Sequence, residues 1–361
     1  MKPRVALIVR STFDSVQGGD TRQVLCTARE LRKLEIDADI LKASDPIDHH
    51  RYDLLHLFNL IRPADHLRHV EQSRIPYVVS TIYLDYSQFD RLGRGFIKGA
   101  VFRLAGRHGA EYLKNIYRMA RRQDRLVSAS YLLGHRRAVR KILSGAKMLL
   151  PNSASEYSRL QGAFGMDRPF RIIPNGIDTE VFGRLPDVTR NEKQVICVGQ
   201  VYGLKNQHRL IEATRRLGAG LLIIGKPPPN HRAYYDHCRK IAHPGVRFLD
   251  FLPQQELAAL YAGSKVHALP SWFETTGLAS LEAGAMGCNL VVGVGGDTAD
   301  YFTGRASFCD ARDTDGLTAA LQTELSRPTS LVFRDHILSH FTWEHAARTT
   351  RAAYFEVLGN G

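Results

Sequence analysis

Glu274 and Glu282 stand eight positions apart in the run Pro270-Ser271-Trp272-Phe273-Glu274-Thr275-Thr276-Gly277-Leu278-Ala279-Ser280-Leu281-Glu282-Ala283. A helical step of that length rises about 12 Å, too far for two carboxylates to work as one acid/base pair. The apolar run Val266-His267-Ala268-Leu269 ends at Pro270, which predicts a strand running into a loop. Thr276 as N-cap, with Gly277-Leu278-Ala279 as the first turn, predicts the start of a helix. Glu274 then falls in the loop and Glu282 one to two turns into the helix, with free backbone N–H groups between them. Two acceptors for hydroxyl groups therefore bracket an anion site.

A nucleotide sugar has that layout, with ribose, diphosphate and sugar in a row. The segment resembles the E-x7-E signature of the retaining, nucleotide-sugar-dependent glycosyltransferases of the GT-B fold, the family 4 type or glycosyl transferases group 1. The resemblance implies that Glu274 contacts hydroxyls of the donor sugar and Glu282 the ribose of the nucleotide. The amides near Gly277 and Leu278 would hold the phosphates, and Thr276 is also expected among the donor-binding residues. For the two glutamates by themselves, a surface carboxylate and a helical Glu paired with a neighbour is the alternative.

Departure of a nucleoside diphosphate builds negative charge that fixed cations and oriented amides must offset. Gly199-Gln200-Val201-Tyr202-Gly203-Leu204-Lys205-Asn206 follows the apolar run Val195–Val198 and resembles the family's phosphate-contacting loop. Lys205 fits the family's lysine and, with Glu274, is the expected catalytic residue. Gln200 stands where most members carry Arg, so one expected cation is missing from the donor site. Gly18 and Gly19 lie between the first strand and the first helix, where glycine allows close backbone approach to a phosphate. They match the family's N-terminal glycine loop, and plain turn glycines are an equal reading. Asp20 is a helix cap at Thr21 or an acceptor contact. Tyr83 takes the position of a His that many members carry after Val78-Val79-Ser80-Thr81; it is read as a packed strand-end tyrosine or a sugar or acceptor contact. Gly295-Gly296-Asp297-Thr298 resembles the family's glycine-rich loop closing the donor pocket, with a plain turn as the alternative.

Short apolar strands alternate with helical patterns along the chain, which predicts parallel α/β layers. Strands are expected at Val5–Val9, Ala38–Leu41, Asp53–Phe58, Tyr77–Thr81 and Met148–Pro151. A second set falls at Val195–Gly199, Leu221–Gly225, Val246–Phe251, Val266–Leu269 and Leu290–Gly293. Val24, Leu25, Ala28, Leu31 and Leu34 form a helix face between the first two strands. The pattern restarts near residue 195, after the turn Ile173-Pro174-Asn175-Gly176-Ile177-Asp178. The expected fold class is therefore α/β: GT-B, two doubly wound Rossmann-like domains facing a central cleft. The expected domains are an acceptor-side domain at 1–175, a donor-binding domain at 176–340 and a final helix in 341–361 that returns to the first.

The chain has 361 residues, long enough for two cores. Five scattered cysteines with no C-x-x-C pair argue for a reducing compartment and against a zinc site or disulfide framework. No metal and no cofactor are expected besides the donor substrate. Net charge is +13, and the segment 91–141 carries 14 Lys and Arg against Glu111 and Asp124. Apolar residues at helical spacing accompany those cations, a pattern that suits an anionic membrane face or an ordinary solvated helix. No nucleic-acid motif accompanies the charge. The opening residues read as a first strand rather than a signal peptide, and no apolar run reaches the length of a membrane span. A cytoplasmic protein is expected, peripheral at the inner face of the cytoplasmic membrane if the basic segment binds lipid.

The leading reading is a retaining hexosyltransferase that passes a sugar from a nucleoside diphosphate to a hydroxyl of a glycan or lipid-linked acceptor. Its rivals are a non-catalytic nucleotide-sugar-binding subunit of a membrane-associated assembly and a GT-B-fold sugar-nucleotide epimerase. A dinucleotide dehydrogenase ranks last, because Gly-x-Gly-x-x-Gly is absent after the first strand.

Overall fold

The computed structural model describes residues 2–14, 18–86, 89 and 134–359. Two compact units divide them. The first unit gathers the described residues up to 86, residues 134–175 and the helix Trp343–Leu358. The second holds Phe89 and residues 176–342.

In the first unit, strands β1 (Arg4–Val9), β2 (Asp37–Lys42), β3 (Leu54–Phe58), β4 (Tyr77–Ser80) and β5 (Met148–Leu149) form a parallel sheet in the order β2-β1-β3-β4-β5. Every residue of β3 is buried, as a parallel strand covered on both faces requires. Ile8, Leu57, Val79, Ile142 and Leu149 belong to one continuous core, each worth roughly 2 kcal/mol relative to an exposed side chain. The helix Gly19–Lys33 buries Val24, Ala28 and Leu31. Leu25, expected on the same face, is 48% exposed instead, because it lies one residue round the helix from Val24.

The helix Trp343–Leu358 completes this unit. It packs on the helix Gly19–Lys33 and buries Trp343 and Tyr354. His56 on β3 lies within hydrogen-bonding distance of the Tyr354 hydroxyl (2.6 Å) and of Ser80 Oγ (2.8 Å). Burial pushes the His56 imidazole down to about 3, so it is neutral and pins the helix to the sheet.

In the second unit, β6 (Asn191–Val198), β7 (Gly220–Ile224), β8 (Val246–Leu249), β9 (Ser264–Leu269), β10 (Asn289–Gly293) and β11 (Ser307–Cys309) are all parallel, in the order β11-β10-β9-β6-β7-β8. β11 has no counterpart among the expected strands, because a three-residue edge strand carries no periodicity. β6 begins four residues before the expected Val195. Its first residues, Asn191–Lys193, are polar and exposed, so the hydrophobic signal starts late. Ile177 and Thr342 form a parallel bridge where the chain enters and leaves the unit, with Ile177 N donating to Phe341 O at 2.8 Å. Among the described residues no helix is long and apolar enough to cross a membrane.

Candidate active site

In the second sheet β6 and β9 are neighbours, yet the chain leaves them in opposite directions. After β6 it builds β7 and β8 on one side, and after β9 it builds β10 and β11 on the other. The loops at their carboxyl ends must diverge there, and open α/β sheets bind ligands in such a crevice. The loop after β6 carries Lys205, at the end of the short turn Gly203–Lys205, and the loop after β9 carries Glu274.

These two side chains meet. Lys205 Nζ donates to Glu274 Oε1 in an ion pair that leaves the side chains 17% and 12% exposed. Burial opposes the charge on Lys205, but the Glu274 carboxylate outweighs it and holds the ammonium above its ordinary range. The backbone ties the loops as well, since Trp272 N donates to Leu204 O at 2.9 Å. Asn206, in a left-handed conformation (φ 62°), sends its amide to Pro270 O (3.2 Å) and Ala311 O (2.8 Å). One Asn side chain thus joins three strand exits. A lone Asn before a helix gives no sequence sign of that role.

The glycine-rich loop after β10 sets the height of Glu274. Glu274 N donates to Gly295 O (3.1 Å), Asp297 N donates to Glu274 O (2.8 Å), and Glu274 and Gly296 form a β-bridge. A Cβ on Gly293, Gly295 or Gly296 would come within about 2 Å of the carbonyl oxygens of Ser271, Trp272 and Glu274 (2.2, 2.0 and 1.9 Å). These glycines are there for close backbone approach. The expected loop exists, and the structure shows it gripping the loop that carries Glu274.

The helix after Glu274 is Leu278–Ala285, and its N-cap is Gly277 at φ 74°, not Thr276. Thr276 is buried, with its hydroxyl 3.4 Å from that of Tyr301. The first-turn amides at Leu278 and Ala279 have no acceptor within the helix. Glu282, half-buried in the second turn, accepts from Tyr261 OH at 3.4 Å. Tyr261 is fully buried, and nothing in the sequence marks it, since its signal is hidden among the apolar residues of the helix Gln254–Ala262. Beneath them lies His267 on β9, completely buried, edge-on to Tyr261, with neither ring nitrogen hydrogen-bonded. Burial first, and Lys205 second, push this imidazole down to about 3. Gln200 is exposed beside Gly199, and its carbonyl accepts from Gln207 Nε2 at 3.0 Å. The second unit thus brings Gln200, Lys205, Glu274, Thr276, Gly277, Leu278 and Glu282 to the exits of β6 and β9.

The remaining candidates lie in the first unit. Gly18 is the extended N-cap of the helix Gly19–Lys33, so that helix starts two residues before Thr21. Both Gly18 and Gly19 are exposed. Asp20 neither caps through the expected geometry nor stands open. Its carboxylate accepts from Arg10 Nε (2.7 Å) and Arg10 Nη2 (3.2 Å), from Asn59 Nδ2 (3.1 Å), and from its neighbour Thr21 N (2.9 Å). Tyr83 is 7% exposed, stacked edgewise on Phe164, with its hydroxyl buried in the core of the unit. Glu156 holds that turn by accepting from Tyr83 N at 2.8 Å and from Thr81 Oγ1. A packed tyrosine is what the structure has at this position. Of the basic segment 91–141, residues 91–133 lie outside the described residues. Its end forms the helix His135–Gly145, with Arg136, Arg137, Arg140 and Lys141 exposed.

Residues 192–327, which contain the loops after β6 and β9 and the helix after Glu274, match the family model described as Glycosyl transferases group 1. Over these residues the chain is similar to glycosyl transferases group 1. Among curated relatives, a glycogen synthase of Mycobacterium tuberculosis is 29% identical over 223 residues, 57% of this chain and 53% of the relative. The chain spans about half the length of the curated relatives it matches. Its fold is GT-B. A sucrose-phosphate synthase from Thermosynechococcus elongatus superposes with a TM-score of 0.78 at 16% identity over 100% of both chains. Anabaena HepE, solved in complex with UDP and glucose, gives 0.70 at 13% identity over 98% of this chain and 100% of its own.

Proposed function

We propose that this protein is a retaining, metal-independent glycosyltransferase that moves a hexose from a nucleoside diphosphate sugar to a hydroxyl acceptor. One observation carries the reading: Lys205 and Glu274 converge at the divergence of β6 and β9, next to the amide-bearing start of the helix Leu278–Ala285. The bond from the sugar C1 to the β-phosphate oxygen breaks with its electron pair going to the phosphate. Lys205 and the Leu278 and Ala279 amides then face the growing negative charge, where preorganised positive potential is most effective. Glu274 accepts hydrogen bonds from sugar hydroxyls and Glu282, held by Tyr261, from the ribose. The acceptor oxygen attacks C1 on the face the phosphate leaves, and its proton passes to the departing phosphate oxygen. HepE's complex with UDP and glucose supports this class of donor. The positive charge of the scheme comes from the chain itself, with no metal called upon.

Transfer from radiolabelled UDP-glucose, UDP-galactose and GDP-mannose tests the reading. Glu274→Ala, Glu282→Ala and Lys205→Ala should each lower turnover or hydrolysis by about two to three orders of magnitude with the fold intact. A wild-type protein that binds these donors but neither transfers nor hydrolyses them would instead be a binding subunit. Unchanged turnover in the glutamate variants would defeat the assignment of the site.

A further inference from the structure

We propose that Lys226 supplies a second cation to the diphosphate of the donor, alongside Lys205. This rests on the donor-site reading above and assigns a residue within it. A nucleoside diphosphate brings more than one negative charge, while the positive charge of Lys205 is matched in place by Glu274. The turn between them and Gln200 adds no further cation. A neighbouring strand exit can add a cation to the potential of Lys205 and the Leu278 and Ala279 amides.

The exit of β7 lies directly against the exit of β6. Gly199 N donates to Ile224 O (2.9 Å) and Val201 N donates to Lys226 O (3.1 Å). Two glycines in conformations that other residues rarely adopt, Gly199 (φ 148°) and Gly225 (φ 140°), allow this approach. A Cβ on Gly225 would lie 2.2 Å from Gly199 O and 3.5 Å from Gln200 N. Lys226 therefore leaves the sheet beside Gln200. Pro227 and Pro228 follow it and hold the exit extended before the short turn Pro229–His231. Within the segments 199–206 and 225–230 the cations are Lys205 and Lys226.

The two lysines differ in how they are held. Lys205 is buried with its partner, whereas the Lys226 ammonium is 3.4 Å from Asp250 Oδ2 at the exit of β8, with side chains 63% and 73% exposed. An exposed pair of this kind is weak and exchanges readily for a phosphate. Lys226 can thus turn from Asp250 to the ligand without leaving a buried charge behind.

Calorimetric titration of the full chain with UDP, GDP, UMP and GMP tests the proposal. Lys226→Gln should weaken binding of the preferred diphosphate about tenfold, as for loss of one charge-assisted contact. Its effect on the matching monophosphate should stay below about twofold, and its thermal midpoint should not move. Asp250→Asn, which frees the ammonium, should bind the diphosphate at least as tightly as wild type. Diphosphate binding unchanged in Lys226→Gln, an equal loss for the monophosphate, or weakening in Asp250→Asn would each overturn the inference while leaving the donor site standing. A wild-type protein that binds neither diphosphate would overturn the donor-site reading and this inference with it.

Discussion

Gly296 and Glu274 share a β-bridge so close that a Cβ on the glycine would sit 1.9 Å from the Glu274 carbonyl oxygen. The φ of Gly296 is 93°, so a side chain there is strained by its backbone as well as by its neighbour. Gly296→Ala should cost about 2 kcal/mol or more of stability and, by lifting Glu274, lower donor turnover. Gly304 is the control: its φ is 73°, but a Cβ there would meet nothing within 4 Å. Gly304→Ala should lower the melting point only slightly and leave turnover unchanged. Equal turnover in the two variants would separate the glycine loop from the placement of Glu274.

The Lys205–Glu274 pair invites a double-mutant cycle. Removing one partner leaves the other charge half-stranded in a site of low exposure. Lys205→Met or Glu274→Gln alone should destabilise by about 1–3 kcal/mol, discounted from the value for a fully buried pair because some solvent remains. The double variant should cost less than the sum, with a coupling of about 1–2 kcal/mol. Urea unfolding measures it, and additive single effects would mean that the two charges do not support each other in the folded chain.

Buried histidines make the fold acid-sensitive. His56 and His267 are pushed by burial down to about 3 from an ordinary 6.5. Between those values the unfolded chain takes up protons that the native chain refuses, so their contribution is present in full above 6.5 and is lost as pH falls toward 3. Each group steepens the loss by about 1.4 kcal/mol per pH unit. The melting point should therefore fall continuously from pH 7 to pH 5. His267 has no hydrogen bond to lose, so His267→Leu should be near neutral at pH 7 and flatten that decline. A parallel pH profile in the variant would assign the acid sensitivity elsewhere.

The exposed face of Arg136, Arg137, Arg140 and Lys141 on the helix His135–Gly145 carries the membrane question. If the first unit docks on an anionic bilayer, the chain should sediment with phosphatidylserine vesicles and not with phosphatidylcholine alone, and salt should release it. Replacing the four cations by Gln should weaken binding by more than tenfold, at about 1 kcal/mol for each cation near the surface. Binding that ignores lipid charge would remove this partner.

Much of the candidate site is legible in the sequence because its parts are local. The strand Ser264–Leu269, the loop after it and the helix from Leu278 follow from an apolar run, a proline and a helix-forming stretch within twenty-two residues. The apolar strand before Lys205 likewise places it in a strand-exit loop, and the family resemblance is what singles it out. Choice among local options is where the pattern falls short. Thr276 and Gly277 can both end a loop, and the cap goes to Gly277 because Thr276 is buried against Tyr301, twenty-five residues away. Asp20 looks available in the sequence, but Arg10 and Asn59 take its carboxylate in the fold.

The order of residues was enough to give the alternation of strands and helices, the two sets of parallel strands, and the short segments that carry charged side chains at strand exits. Periodicity and turn chemistry act over a few residues and can be read along the chain. Which exits adjoin was settled in three dimensions. The order of β9 beside β6, and β7 on its other flank, puts Glu274 on Lys205 and Lys226 beside Gln200. Those contacts join residues far apart in the chain through backbone spacing and burial, which no local pattern encodes.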